Sequence, residues 1–210
     1  MDSEIAIFQI IVLIFSVIIH EVSHGSMANY LGDPTAKRMG RLSLNPMKHL
    51  DPLGSFVVPF FLLITHAPFI FGWAKPVPFN PYNLRDQKYG QAKVAMAGPM
   101  ANLLLAFGAG IVLRFLPLGM PQTMMLGKLL SIVVLINVLL AIFNLVPIPP
   151  LDGSKILFTF LPARMWKLQQ NLEQYGFVIL LAFIMLFSNR LWPIILFIYK
   201  MIVGHFNFLV

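Results

Sequence analysis

Long apolar runs, not an alternation of apolar and polar positions, dominate the chain. The first starts near Ser3, a suitable N-cap, and passes Ile19 to reach His24. A second, 52–74, is broken by Gly54, Pro59, His66, Pro68 and Gly72 and makes a poor straight helix. A third, 91–116, is free of charge from Val94 to Leu113. A fourth, 126–147, is dominated by Leu, Ile and Val and ends in Pro147, Pro149 and Pro150. The last, 175–203, is interrupted by Asn189, Arg190 and Pro193 and reads as one bent helix or a short hairpin. Runs of this length match the thickness of a bilayer. They predict an all-α polytopic membrane protein with about four to six membrane segments.

Composition agrees with the pattern. Of 210 residues 58% are hydrophobic and only 11% charged, where a soluble domain carries about a quarter. Cysteine is absent, which excludes disulfides and thiolate metal sites. The net charge of +7 points to basic loops against anionic lipid in preference to nucleic acid. The acidic start Met1-Asp2-Ser3-Glu4 does not resemble a signal peptide, so the first run is expected to be retained. The polar stretches 25–51 and 75–93 are too short for soluble domains, and residues 1–210 are expected to form a single membrane domain.

Charge also orients the segments. Lys37, Arg38, Arg41 and Lys48 precede the broken region, and Lys75, Arg85, Lys88 and Lys93 follow it. With both clusters on the cytoplasmic side, 52–74 enters and returns on one side, as a re-entrant or extended element between the first and the next full crossing. Alternation then places Lys155, Arg164 and Lys167 on the cytoplasmic side too.

Against this background His20, Glu21 and His24 stand out, because ionisable residues in an apolar helix are costly and mark functional sites. His20 and His24, at i and i+4, share one helix face and can bind one zinc, with Glu21 beside them as general base. Zinc needs a third protein ligand and an open position. From Ser3, His20 lies ~25 Å along its helix, near the far side of a ~30 Å core. The fourth segment carries the chain ~33 Å back to that side, where Asp152 follows in "VPIPPLDG". Matching depth makes Asp152 the expected third ligand, ahead of an ordinary Asp-Gly turn.

The pair HEVSH and NLVPIPPLDG resembles the site-2 protease family of intramembrane zinc metalloproteases. AGPMAN at 97–102, NPMKHLDPLG and GWAKPVPFNP are similar to its short-core subgroup. The resemblance covers most of residues 15–160. It implies one zinc per chain on His20, His24 and Asp152, Glu21 as catalytic base, and transmembrane protein substrates. A multi-pass protein of a prokaryotic cell membrane is expected, and depth and charge together put its active site near the cytoplasmic side. The additional leading helix and the PDZ or CBS domains of many members are not expected here.

Other polar residues carry weaker expectations. By resemblance Asn144 helps hold the substrate backbone or the oxyanion, with an interhelical hydrogen bond as the alternative. Asn102 is a second candidate for substrate contact, although Asn102 and Asn137 suit interhelical bonds better. His49 and Asp51 fit either supporting roles near the site or ordinary loop chemistry, and His66 is not expected to be a ligand. GWAKPVPFNP is either an extended edge for strand addition or a structural loop. The competing function is a non-catalytic zinc-binding scaffold or a metal transporter. A transport path, however, needs polar groups spread through the membrane depth.

Overall fold

The computed structural model describes residues 3–57, 60–61, 64–65, 75–117 and 121–204. Six helices organise them: α1 (Ser3–Tyr30), α2 (Thr35–Arg38), α3 (Gly90–Arg114), α4 (Pro121–Asn144), α5 (Asp152–Phe160) and α6 (Trp166–Val203). Short turns of other helical types lie at Pro46–Lys48, Pro52–Val57, Pro81–Asn83 and Ala163–Met165. No β-strand occurs among the described residues. Four helices, α1, α3, α4 and α6, are long and apolar enough to cross a membrane, as the run lengths predict. Most of the expected re-entrant stretch, including His66, Pro68 and Gly72, lies outside the described residues.

Helix ends follow local chemistry. At the end of α1, Gly32 takes φ 114°, a conformation that glycine tolerates, and the Asp33 N–H returns to the Ala28 carbonyl. Asp86 starts α3: its Oδ1 accepts the Tyr89 N–H at 2.8 Å while Oδ2 pairs with Lys93 at 2.6 Å. Helix α4 begins at Pro121, ahead of the expected 126, because proline suits the first helical position. It ends at Asn144, short of the expected 147, since residues before Pro147 are pushed out of helical geometry.

Helix α6 settles the choice between bent helix and hairpin: it is continuous for 38 residues and holds Asn189, Arg190 and Pro193 within it. At ~1.5 Å per residue it is ~57 Å long, well beyond a ~30 Å core. Its end is tied to the end of α3, where Arg114 Nε donates to the Ile202 carbonyl at 2.8 Å. The α3 and α6 C-termini therefore share one end of the bundle, and the C-terminal half of α1 and the start of α3 share the other.

Three apolar clusters hold this arrangement. Ala106, Leu113, Val134, Val138, Ile195 and Tyr199 pack α3, α4 and α6 together away from the site. Ala28, Leu84 and Val94 join the loop before α3 to α1. Val146, Leu151 and Leu180 pin the proline-rich turn against α6, where Gly176 lets the helix approach Pro149; a Cβ there would lie 2.6 Å from the Pro149 Cβ. Ile7, Ile10, Ile11, Leu13, Ile14 and Phe15 of α1 stay exposed, as a face solvated by lipid requires.

Candidate metal centre

His20 and His24 lie one turn apart in the C-terminal half of α1, their rings edge to face with centroids 4.6 Å apart. Asp152 opens α5, directly after the turn that leaves α4. Its Oδ2 lies 3.0 Å from Nε2 of His20 and 3.0 Å from Nε2 of His24. All three residues are buried, and their donor atoms lie within 4.8 Å of one another.

The far side of each imidazole decides what that cluster holds. Asn102 Nδ2 donates to the Asn137 Oδ1 at 2.9 Å and to the Ser16 carbonyl at 3.3 Å, so its Oδ1 is left to accept. It accepts from His20 Nδ1 at 2.6 Å. His24 Nδ1 donates to the Val94 carbonyl at 2.7 Å. Both rings thus carry a proton on Nδ1, and in the neutral form they present the Nε2 lone pair to the cluster. With neutral rings, two such lone pairs and a carboxylate oxygen converge on one point, an arrangement that a cation at its centre stabilises. Two imidazoles and one carboxylate form a donor set suited to zinc, and outer hydrogen bonds of this kind are what orient histidine ligands. The residues fit the metal.

Two glycines make the convergence possible. A Cβ at Gly98 would fall 2.5 Å from His24 Nε2 and 2.6 Å from His20 Nε2, so α3 can close behind the rings only with hydrogen at that position. At Gly153 a Cβ would run into the Leu145 and Val146 carbonyl oxygens, so the start of α5 seats directly on the end of α4.

Beside the rings opens a cleft of about 150 Å³, lined by Glu21, Val77, Phe79, Val94, Asn144 and Lys155 among others. Glu21 Oε2 accepts the Val77 N–H at 2.9 Å. The segment that supplies this donor, 75–80, has neither helix nor strand. Arg41 holds it by the Lys75 carbonyl at 2.8 Å, and Asp33 holds it by the Asn80 N–H at 2.6 Å. Asn144 reaches the cleft, with Nδ2 donating to its own helix at the Leu140 carbonyl. Asn102, the other candidate for substrate contact, stands behind His20 with no exposed surface. His49 donates to the Ser43 carbonyl at 2.7 Å and its own carbonyl accepts the Lys75 N–H at 2.8 Å, which ties this loop to the segment at the cleft; Asp51 accepts from the Leu53 and Gly54 N–H groups. Sequence reading gave no role to Gly98 or to the Val77 N–H. The AGPMAN stretch was the available signal for Gly98, and a backbone donor leaves none.

A helical His-Glu-x-x-His pair facing a distant carboxylate, among helices of membrane length, is the pattern of a membrane-embedded zinc metallohydrolase. Comparison with known proteins sharpens the class. Residues 119–187 match the profile of peptidase family M50. The "Putative zinc metalloprotease YwhC" of Bacillus subtilis is 37% identical over 195 residues, which is 90% of this chain and 85% of YwhC. The relative Rip2 of Mycolicibacterium smegmatis, named in the same terms, is 25% identical over 90% of this chain and 72% of its own length. A third, sll0528 of Synechocystis, is 38% identical over 78 residues, 37% of this chain and 18% of its own length. No solved structure matches. The chain belongs to peptidase family M50, the site-2 protease family, and is an integral membrane metalloprotease whose cofactor is zinc.

Proposed function

We propose that this chain, as one membrane-embedded catalytic domain, hydrolyses peptide bonds in or beside transmembrane helices of other proteins, in regulated intramembrane proteolysis. His20, His24 and Asp152 hold one zinc, and Glu21 is the general base. The observation that carries the reading is the convergence of the two Nε2 atoms on Asp152 Oδ2, with Glu21 lining the cleft beside them.

Zinc in that position supplies Lewis acidity, polarising the scissile carbonyl and acidifying water. Glu21 takes a proton from the attacking water and passes it to the departing amine. The Val77 N–H holds one Glu21 oxygen and leaves the other for that proton. Asn144 keeps its carbonyl oxygen and one N–H for a substrate backbone in the cleft.

The site belongs near the cytoplasmic face. Lys37, Arg38, Arg41, Lys48, Lys75, Lys88, Lys93, Lys155 and Lys167 lie in or beside elements at the site's end of the bundle, as the positive-inside rule asks of a prokaryotic cell membrane. Water reaches the cleft from that side, which a reaction at the bilayer centre would lack.

The test is cleavage of a panel of single-pass membrane proteins by the purified enzyme in proteoliposomes, with cut sites mapped by mass spectrometry. Cuts within or at the edge of the membrane segment are expected, and Glu21→Gln should abolish them while keeping its zinc. Cutting confined to soluble domains would contradict the substrate class. A Glu21→Gln protein that still cleaved would remove Glu21 as the base.

A further inference from the structure

Asp152 faces three nitrogens with two oxygens and divides them unequally. Oδ2 serves both histidines, at 3.0 Å each. Oδ1 faces Lys155 Nζ at 3.4 Å, from one turn further along α5. We propose that Lys155 is a positioning residue for the metal: by engaging Oδ1 it limits Asp152 to one-oxygen ligation and so keeps open the coordination position that catalysis needs. The proposal rests on the assignment of His20, His24 and Asp152 as the zinc ligands.

A catalytic zinc site keeps three protein ligands and one open position. A carboxylate can ligate through one oxygen or both, and an unoccupied second oxygen beside a dication is drawn into that open position. The main chain of Asp152 leaves only side-chain movement for this. Its backbone is fixed, because Gly153 is wedged against the Leu145 and Val146 carbonyls and Ser154 Oγ donates to the Leu151 carbonyl at 2.6 Å. What remains are the side-chain torsions that would swing Oδ1 towards the metal, and Lys155 meets that oxygen.

An ordinary exposed ion pair would contribute little. This pair is asymmetric: the Asp152 side chain is 7% exposed, the Lys155 side chain 41%. Its buried end is a ligand atom's twin, and its exposed end reaches the cleft beside Glu21 and Asn144. Among the described residues lining that cleft, Lys155 is the one lysine or arginine. A charge-assisted bond to the rear oxygen restrains a ligand without competing for the metal.

The experiment replaces zinc with cobalt in the full-length protein and reads coordination from the visible spectrum, in which four-coordinate cobalt absorbs more strongly than five-coordinate. Wild type should be four-coordinate. Lys155→Met should keep one metal per chain but give the weaker five-coordinate spectrum, with kcat about tenfold lower and KM unchanged. Lys155→Arg should restore both. A five-coordinate wild-type spectrum overturns the proposal whatever the variants do. A Lys155→Met spectrum that superimposes on wild type overturns it as well, as does loss of metal from a folded Lys155→Met protein. Asp152→Ala separates the two levels. If that variant keeps its metal, the ligand assignment has failed; if it loses its metal while Lys155→Met looks like wild type, only the role of Lys155 has failed.

Discussion

His20 and Asn102, 82 positions apart in sequence, meet through a 2.6 Å hydrogen bond between Nδ1 and Oδ1. That bond decides which nitrogen of His20 faces the proposed metal position. Asn102 is itself held by Asn137, so a single chain of amides runs from α4 through α3 to α1. Replacing Asn102 by Ala leaves the His20 N–H unpaired in a buried site and frees the ring to turn. Zinc affinity should fall about 10- to 100-fold, measured by competition against a metal buffer. Affinity unchanged in Asn102→Ala would show that His20 is oriented by other means.

Gly98→Ala gives a test in which propensity and sterics oppose each other. Alanine is the better helix former by about 1 kcal/mol, so α3 by itself should gain. Its Cβ, however, would lie 2.5–2.6 Å from the two Nε2 atoms. Loss of metal from a folded, helical protein is the expected result, read by circular dichroism together with metal analysis. Full metal occupancy would show that α3 can retreat from the rings.

Asp33 links acid stability to the segment above the cleft. Burial pushes its carboxyl up. Hydrogen bonds from Thr35 and Asn83 and from the Asn80 N–H outweigh burial and hold it below the ordinary carboxylate range. A folded pKa below the unfolded one stabilises the protein above the ordinary value of ~3.9, and this contribution is lost as pH falls through the folded value. Asp33→Asn should therefore cost about 1–3 kcal/mol at neutral pH. The gap in melting temperature between wild type and variant should close below about pH 4. A gap that persists unchanged at pH 3 would contradict this account.

Much of this was legible in the sequence, and the limits have physical causes. His20 and His24 declare themselves because their i, i+4 spacing is local. Asp152 could be reached because helix rise and bilayer thickness turn sequence distance into depth. The role of Asn102 behind His20 could not be reached, since it depends on which faces of α1 and α3 meet. Gly98 is silent for the same reason: a missing Cβ matters only where another helix lies against it. The start of α6 was missed by nine residues. The stretch KLQQNLEQ is polar and lies outside the apolar run, yet Lys, Leu, Gln and Glu are good helix formers and carry α6 beyond the apolar part. Polarity there marks an exposed helix surface, not a break.

Metal content of the purified protein and its Asp152→Ala variant tests the central claim most directly. The account predicts about one zinc per chain in wild type, the same in Glu21→Gln, and essentially none in Asp152→Ala, because two histidines alone cannot complete the site. Stoichiometric zinc in Asp152→Ala would contradict it and would separate the PPLDG turn from the metal.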